Sequence, residues 1–313
     1  MAGPRMYLIL SETWTMTDPR DLRGLVEHAV VAERAGFHGV MIGEHVVHGP
    51  NAAIDGAPAN PRDWLRAGNQ PPAYPHPSGL HLLSAIASVT TQLRLMAAAV
   101  LSPLRHPLLL AKELATIDLV SQGRLIFLPG VSWQREEYEA LGVPFEHRGR
   151  ILDEQLEIWE ELWRDGSPIT HHGDHFDFTD IYVEPQPYRP GGPELWIGGR
   201  SFKPWTLRRA VRYAQGLFPI LPLTTDDLAE VDAAMTAAGR DPASLEIGTI
   251  LFGPPFKGAD DLLDLDAALA PVEEMLDQGF TTFVLKPSQY IDDGALLGDL
   301  CHDVMRKVGH LRT

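Results

Sequence analysis

The segment GFHGVMIGEHVVHGP, residues 36–50, places a carboxylate and two imidazoles, Glu44, His45 and His48, directly after the apolar run Val40-Met41-Ile42. A run of that kind reads as a buried strand, so the polar residues stand where a strand hands its chain over to a loop. An imidazole moves protons at neutral pH, and a carboxylate beside it can fix its tautomer. Glu44 and His45 are therefore the candidate catalytic pair. A second stretch, WIGGRSFKPW (196–205), carries binding chemistry of another kind. Gly198 and Gly199 let a ligand approach the backbone, and a helix beginning after them presents unpaired N–H groups at its positive end. Arg200 and Ser201 add a charged and a neutral donor, a combination that suits a phosphate. The histidines also raise a metal site, either Glu44, His45 and His48 or His171, His172 and His175. Neither set has a standard zinc spacing, so no metal is expected.

The elements that must position these groups repeat along the chain. Short apolar runs at 6–10, 39–43, 93–101, 124–130, 194–199, 216–221, 245–252 and 281–287 alternate with longer helix-patterned stretches. The runs lack strict polar alternation, as parallel strands covered on both faces do. Eight such units in 313 residues predict an α/β fold, a (β/α)8 barrel forming a single domain over 1–313. An open doubly wound sheet fits less well, because no G-x-G-x-x-G follows any strand. In a barrel the site lies at the C-terminal strand ends. Those ends hold Glu12 after the first strand, Glu44 and His45 after the second, and Ser132 and Trp133 after the fourth.

Two insertions break the repeat. Residues 50–78, after the second strand, are rich in Pro, Gly and Asn and read as a lid, with Trp64 and Tyr74 as its apolar contacts to substrate or cofactor. Residues 166–192 read as an extended excursion before the fifth strand. Helix signals elsewhere include Asp18 as a cap with Pro19 at the first helical position, and RILDEQLEIWEELW with Leu152, Leu156, Trp159 and Trp163 on one buried face.

With 42 acidic against 26 basic side chains the formal charge is −16, which opposes nonspecific binding to nucleic acid or an anionic membrane. One cysteine, Cys301, excludes an intramolecular disulfide and suits a reducing compartment. No window approaches 18 apolar residues, and the short run at 6–10 does not make a signal peptide. A cytoplasmic enzyme acting on a small organic molecule is the expectation.

LRHPLLLAKELATIDLVSQGRL, SWQREEYEALGVPFEHRGRILDEQLEIWEELW and VEPQPYRPGGPELWIGGRS, in that order, closely resemble the bacterial-luciferase-like superfamily, nearest its coenzyme F-420-dependent oxidoreductases. The likeness is strong over about 6–220 and weaker beyond. It implies the barrel reached above, with FMN or the deazaflavin F-420 across the strand ends and its phosphate near Gly198 to Ser201. It implies that the pair after the second strand, here Glu44 and His45, faces the ring and the substrate. It also implies a non-prolyl cis peptide within MAAAV (96–100) under the ring, which makes Ala97 and Ala98 cofactor contacts. The glycine-rich turn after the fourth strand is altered: Leu128 and Ser132 stand where glycines are common, and Trp133 replaces the acid of the sugar-phosphate dehydrogenases. The activity implied is hydride transfer between F-420 and a small organic substrate. The alternatives are an FMN monooxygenase using dioxygen and flavin supplied by a partner reductase, and a non-catalytic flavin-binding protein. A homodimer is compatible with each.

Overall fold

Eight parallel strands close into a barrel. They are found in a computed structural model that describes every residue except 1–2, 64–67, 200–202, 222 and 312–313. In chain order the elements are β1 (Arg5–Ile9), α1 (Leu22–Arg34), β2 (Gly39–Ile42), α2 (Gly79–Val89), β3 (Arg94–Leu101), α3 (Pro107–Ser121), β4 (Leu125–Gly130), α4 (Arg135–Ala140) and α5 (Arg148–Asp165). The hairpin β5 (Ile169–His172) and β6 (Asp177–Ile181) follows. Then come β7 (Glu194–Gly199), α6 (Pro204–Tyr213), β8 (Gly216–Pro219), α7 (Thr225–Ala237), β9 (Glu246–Ile250), α8 (Leu265–Leu269), α9 (Val272–Asp277), β10 (Thr282–Leu285) and α10 (Leu297–Val308). The barrel order is β1-β10-β9-β8-β7-β4-β3-β2, and the pairing of β1 with both β10 and β2 closes it.

The even apolarity of the strands follows from their two buried faces. Tyr7, Ile9, Met41, Met96, Ala98, Ile126, Trp196 and Phe218 fill the barrel interior. Their alternates, such as Leu8, Val40, Leu95, Ala97 and Phe127, pack under the helices. The N-terminal end of the barrel is plugged by charge. Arg94 Nη1 donates to both Glu246 oxygens at 3.2 Å, Arg94 Nη2 donates to Glu194 at 2.5 Å, and Trp196 Nε1 donates to Glu194 at 2.9 Å. The cavity lies at the opposite end, over the C-terminal ends of the strands.

Helix α1 begins one turn later than Asp18 and Pro19 predict. Asp21 caps it by accepting from the Gly24 amide at 2.9 Å, while Asp18 accepts from Arg20 in the preceding turn. Either aspartate is a competent cap, and the second is the one followed by an uninterrupted helical run. Leu152, Leu156, Trp159 and Trp163 are buried on α5 as expected, with Trp159 edge-on to Phe127 at 5.3 Å. In the hairpin, His171 Nε2 faces Glu154 at 3.1 Å and His172 Nδ1 faces Asp177 at 2.7 Å, so both imidazoles serve the local fold. Among the described residues no helix is long and apolar enough to cross a membrane.

Candidate active site

Strand β2 delivers Glu44 and His45 to the open end of the barrel, and there their paths diverge. Glu44 Oε1 accepts from the Leu101 amide at 2.7 Å and from Arg105 Nη1 at 2.8 Å, and its Oε2 accepts from Arg105 Nη2 at 2.9 Å. The side chain, 4% exposed, thus tethers the turn after β2 to the chain leaving β3. These bonds run to Leu101 and Arg105 and none to His45, which is held from elsewhere. The expectation that these two neighbours act as a pair is corrected here. Glu44→Gln keeps the volume but leaves Arg105 without its counter-charge. Loss of one partner of a buried pair should cost roughly 3 kcal/mol, seen as a lowered urea midpoint with His45 still in place.

The carboxylate that does hold His45 is Glu137, from the first turn of α4. His45 Nδ1 lies 3.3 Å from Glu137 Oε2. A carboxylate only accepts, so Nδ1 carries the proton and Nε2 is left to act on a ligand. Glu137 also accepts from the Val46 amide at 2.7 Å and from the Ser132 hydroxyl at 2.9 Å, and its side chain is fully buried. Burial would push this carboxyl up, but the bond and charge of His45, the Val46 amide and the Ser132 hydroxyl outweigh it and hold the group below its usual range. Ser132, read from the sequence as a cofactor contact, lends its hydroxyl to Glu137. Its left-handed backbone, φ 55°, turns the chain from β4 into α4.

Around His45 lie three more rings: His48 at 4.7 Å, His76 at 5.2 Å and Trp133 at 5.9 Å between centroids. His76 comes from the insertion after β2. Burial, then the neighbouring His45, His48 and Lys286, push its imidazole down to about 3. Such a ring stays neutral in the native state and gains its proton only on unfolding. The unfolded chain therefore binds more protons between the ordinary value of 6.5 and about 3. Stability should fall as pH drops through that window, by up to about 1.4 kcal/mol per pH unit from this group. Urea midpoints at a series of pH values measure the slope, which His76→Gln should flatten.

Of these rings His45, His76 and Trp133 line a cavity of about 1110 Å³ lying over the strand ends. Its floor includes Ala98 and Ala99, joined by a non-prolyl cis peptide where the resemblance placed one. The floor contacts are Ala98 and Ala99, not Ala97, whose side chain follows the strand alternation outward into the helix layer. Gly130 gives Ala99 its room, since a Cβ there would lie 2.7 Å from the Ala99 methyl. Gly198 and Gly199 line the far wall. A Cβ on Gly198 would meet the Phe218 carbonyl at 2.3 Å, so strand packing already requires glycine at that position. Arg200 and Ser201 lie outside the described residues.

Beside these glycines stand cavity residues that the sequence reading missed: Arg148, Thr206 and Arg209. Arg209 is spoken for by Asp153 at 2.7 Å and the Gly149 carbonyl at 2.9 Å. Arg148 packs its guanidinium on the Phe145 ring at 3.7 Å and donates from Nη1 to the Phe145 carbonyl. Its Nε is buried with no hydrogen-bond partner among the described residues. A buried cationic donor left over at a cavity wall is what an anionic ligand satisfies.

The insertion after β2 does roof the cavity, but its middle is knitted down. Asn60 Nδ2 donates to the Gly258 and Asp261 carbonyls at 2.8 and 3.0 Å, and Arg62 Nε donates to Asp292 at 2.7 Å. The other half of the roof, with Phe252, Pro254, Pro255 and Phe256, comes from the loop after β9. Of the expected lid contacts, Trp64 lies outside the described residues. Tyr74 stands behind the cavity rather than in it, 5.5 Å from His76, whose ring takes the position facing inward. Trp133 and Glu12 line the cavity as expected, and Glu12 reaches it from a left-handed turn, φ 60°.

Comparison with known proteins bears on this arrangement. A family model described as luciferase-like monooxygenase matches residues 5–261. An uncharacterized protein of Mycobacterium tuberculosis is 30% identical over 210 residues, which span 57% of this chain and 70% of that protein. The coenzyme F-420-dependent tetrahydromethanopterin reductase of Methanopyrus kandleri superposes with a TM-score of 0.69 at 16% identity, over 98% of this chain and 100% of that one. The oxygenating constituent of 3,6-diketocamphane monooxygenase from Pseudomonas putida, solved with FMN, gives 0.70 at 18% identity over 98% of each chain. At these identities the two structural likenesses speak for the fold.

Proposed function

The chain belongs to the luciferase-like monooxygenase family, and from that premise we propose that it transfers a hydride between coenzyme F-420 and a small organic carbonyl compound. The observation that carries the reading is His45 held by Glu137 at one end of the cavity, with its Nε2 left for a ligand. The residues present fit a deazaflavin or a flavin. Ala98, Ala99 and Leu128 offer a flat apolar bed, and Arg148 with Thr206 and the start of α6 offers an anion-binding wall. The bound cofactor supplies the hydride.

Everything else is the work of side chains. His45 gives a proton to the carbonyl oxygen in the direction of reduction and takes it back in the direction of oxidation. Glu137 keeps the tautomer and stabilises the imidazolium that exists while His45 holds both protons. The apolar roof excludes water from the reacting centre. Trp133, Phe252 and Phe256 set the width left for the substrate. The proton-carrying pair favours hydride transfer over a non-catalytic flavin-binding role. FMN with dioxygen is the competing chemistry, and a reductase would then be needed as a partner.

Mixing the protein with reduced F-420 and a panel of uncharged ketones tests the proposal through the returning absorbance of the oxidised deazaflavin. Oxidation that needs dioxygen, or none with any ketone, would count against it. Arg148→Ala should weaken cofactor binding about tenfold or more, the usual worth of a charge-assisted contact of ~1.5–3 kcal/mol. An unchanged dissociation constant would move the phosphate elsewhere.

A further inference from the structure

We infer that His76 is a second substrate-contacting residue, donating a hydrogen bond from its imidazole to the oxygen of an uncharged carbonyl compound with an apolar body. The inference rests on the reading above and narrows it to a substrate class. His76 lines the cavity, its side chain is 7% exposed, and its Nε2 is buried with no hydrogen-bond partner among the described residues. The nearest acid, Glu12, stands 3.9 Å from that nitrogen, beyond hydrogen-bond reach. Three rings fix the orientation of the imidazole: His48 at 4.9 Å, His45 edge-on at 5.2 Å and Tyr74 at 5.5 Å. Such a ring is aimed before any ligand arrives, so little ordering remains to be done on binding.

The two imidazoles at this end differ in what they can do. His45 is backed by a carboxylate and can carry a proton through the reaction. His76 has no such backing; its burial, and after that the neighbouring imidazoles and Lys286, keep it neutral. A neutral imidazole serves as a polarising donor rather than an acid. Both line the same end and can converge on one ligand oxygen, while Phe252, Pro254, Pro255 and Phe256 give most of the β9-loop side an apolar surface, with Lys257 following them. Glu12 and Asp63 also line the cavity, with the buried Lys286 interacting electrostatically with both, so no uncompensated charge of either sign stands beside His76. The matching substrate is therefore a neutral ketone or aldehyde on an aliphatic or aromatic skeleton.

The test uses histidine-labelled (¹⁵N) full-length protein without cofactor, titrated with cyclohexanone and, separately, with methylcyclohexane. Cyclohexanone should shift the protonated ring nitrogen and its proton in His76, and methylcyclohexane should not. In turnover with reduced F-420, His76→Leu should lower kcat/KM for cyclohexanone about tenfold while leaving cofactor affinity alone, and His76→Gln, which keeps a neutral donor, should restore most of it. Identical shifts with both probes, no shift with either, or equal losses in the Leu and Gln variants would overturn the inference. A wild-type protein that shows the cyclohexanone shift but binds no F-420 would instead overturn the reading of the preceding subsection.

Discussion

Replacing His45 by alanine should lower turnover by roughly 10²–10⁴-fold with cofactor affinity near that of the wild type. The size follows from its position: His45 is the imidazole at the cavity that a buried carboxylate supports, 3.3 Å away, so its removal takes out the proton path and not the binding surface. The floor and the wall proposed for the phosphate are built from other residues, Ala98, Ala99, Arg148 and Thr206, which the substitution does not touch. Turnover, cofactor affinity and thermal stability measured on one preparation separate the outcomes. Full activity in a less stable variant would reduce His45 to a turn residue.

Glu137→Gln should have an effect of the same order, although its side chain is not among the residues that line the cavity. The amide that replaces one carboxylate oxygen brings N–H donors toward the His45 Nδ1–H and the Ser132 hydroxyl, both of which now donate to that carboxylate. Either His45 adopts the wrong tautomer or the ring turns away, and the imidazolium loses its counter-charge. The loss should reach roughly 10²–10⁴-fold in kcat, the usual worth of the proton transfer that the tautomer serves, with the upper end known for a tautomer-fixing carboxylate. The pH dependence has a definite sign. Because the native carboxyl is held below its ordinary value, its contribution to stability is complete above the unfolded value and is lost as pH falls through the folded one. The wild type should therefore lose stability in acid partly through this group, and Glu137→Gln should show less of that loss. A variant with wild-type kcat would break the link between the two residues.

The barrel was readable because its signals are local and repeated: apolar runs without alternation, each followed by a helix-patterned stretch, several of them closed by a glycine such as Gly36 or Gly123. The position of the cis peptide was readable through resemblance alone, since Ala98 and Ala99 carry no chemical mark of their own. The partner of His45 was not readable. Glu137 lies 92 residues away in an acidic stretch, Arg135-Glu136-Glu137-Tyr138, which looks like a solvated helix face. The one hint is that Tyr138 beside it is too apolar for such a face, and both prove buried. Glu44 lines the cavity but was wrongly paired with His45, because adjacency in sequence stood in for contact. Its true partner, Arg105, comes from the turn after β3 and could only be found in space. His76 sits in a proline-rich insertion with no periodicity to show which way it points, and Arg148 opens a helix whose arginines read as exposed.

What occupies the cavity decides the chemistry. Equilibrium titration of the purified protein with F-420 and with FMN, each followed by the change in cofactor absorbance or fluorescence, tests it most directly. Saturable binding of F-420 at one per chain, tighter than FMN and weakened in Arg148→Ala, is the expected result. Binding of FMN alone, or of neither, would contradict it.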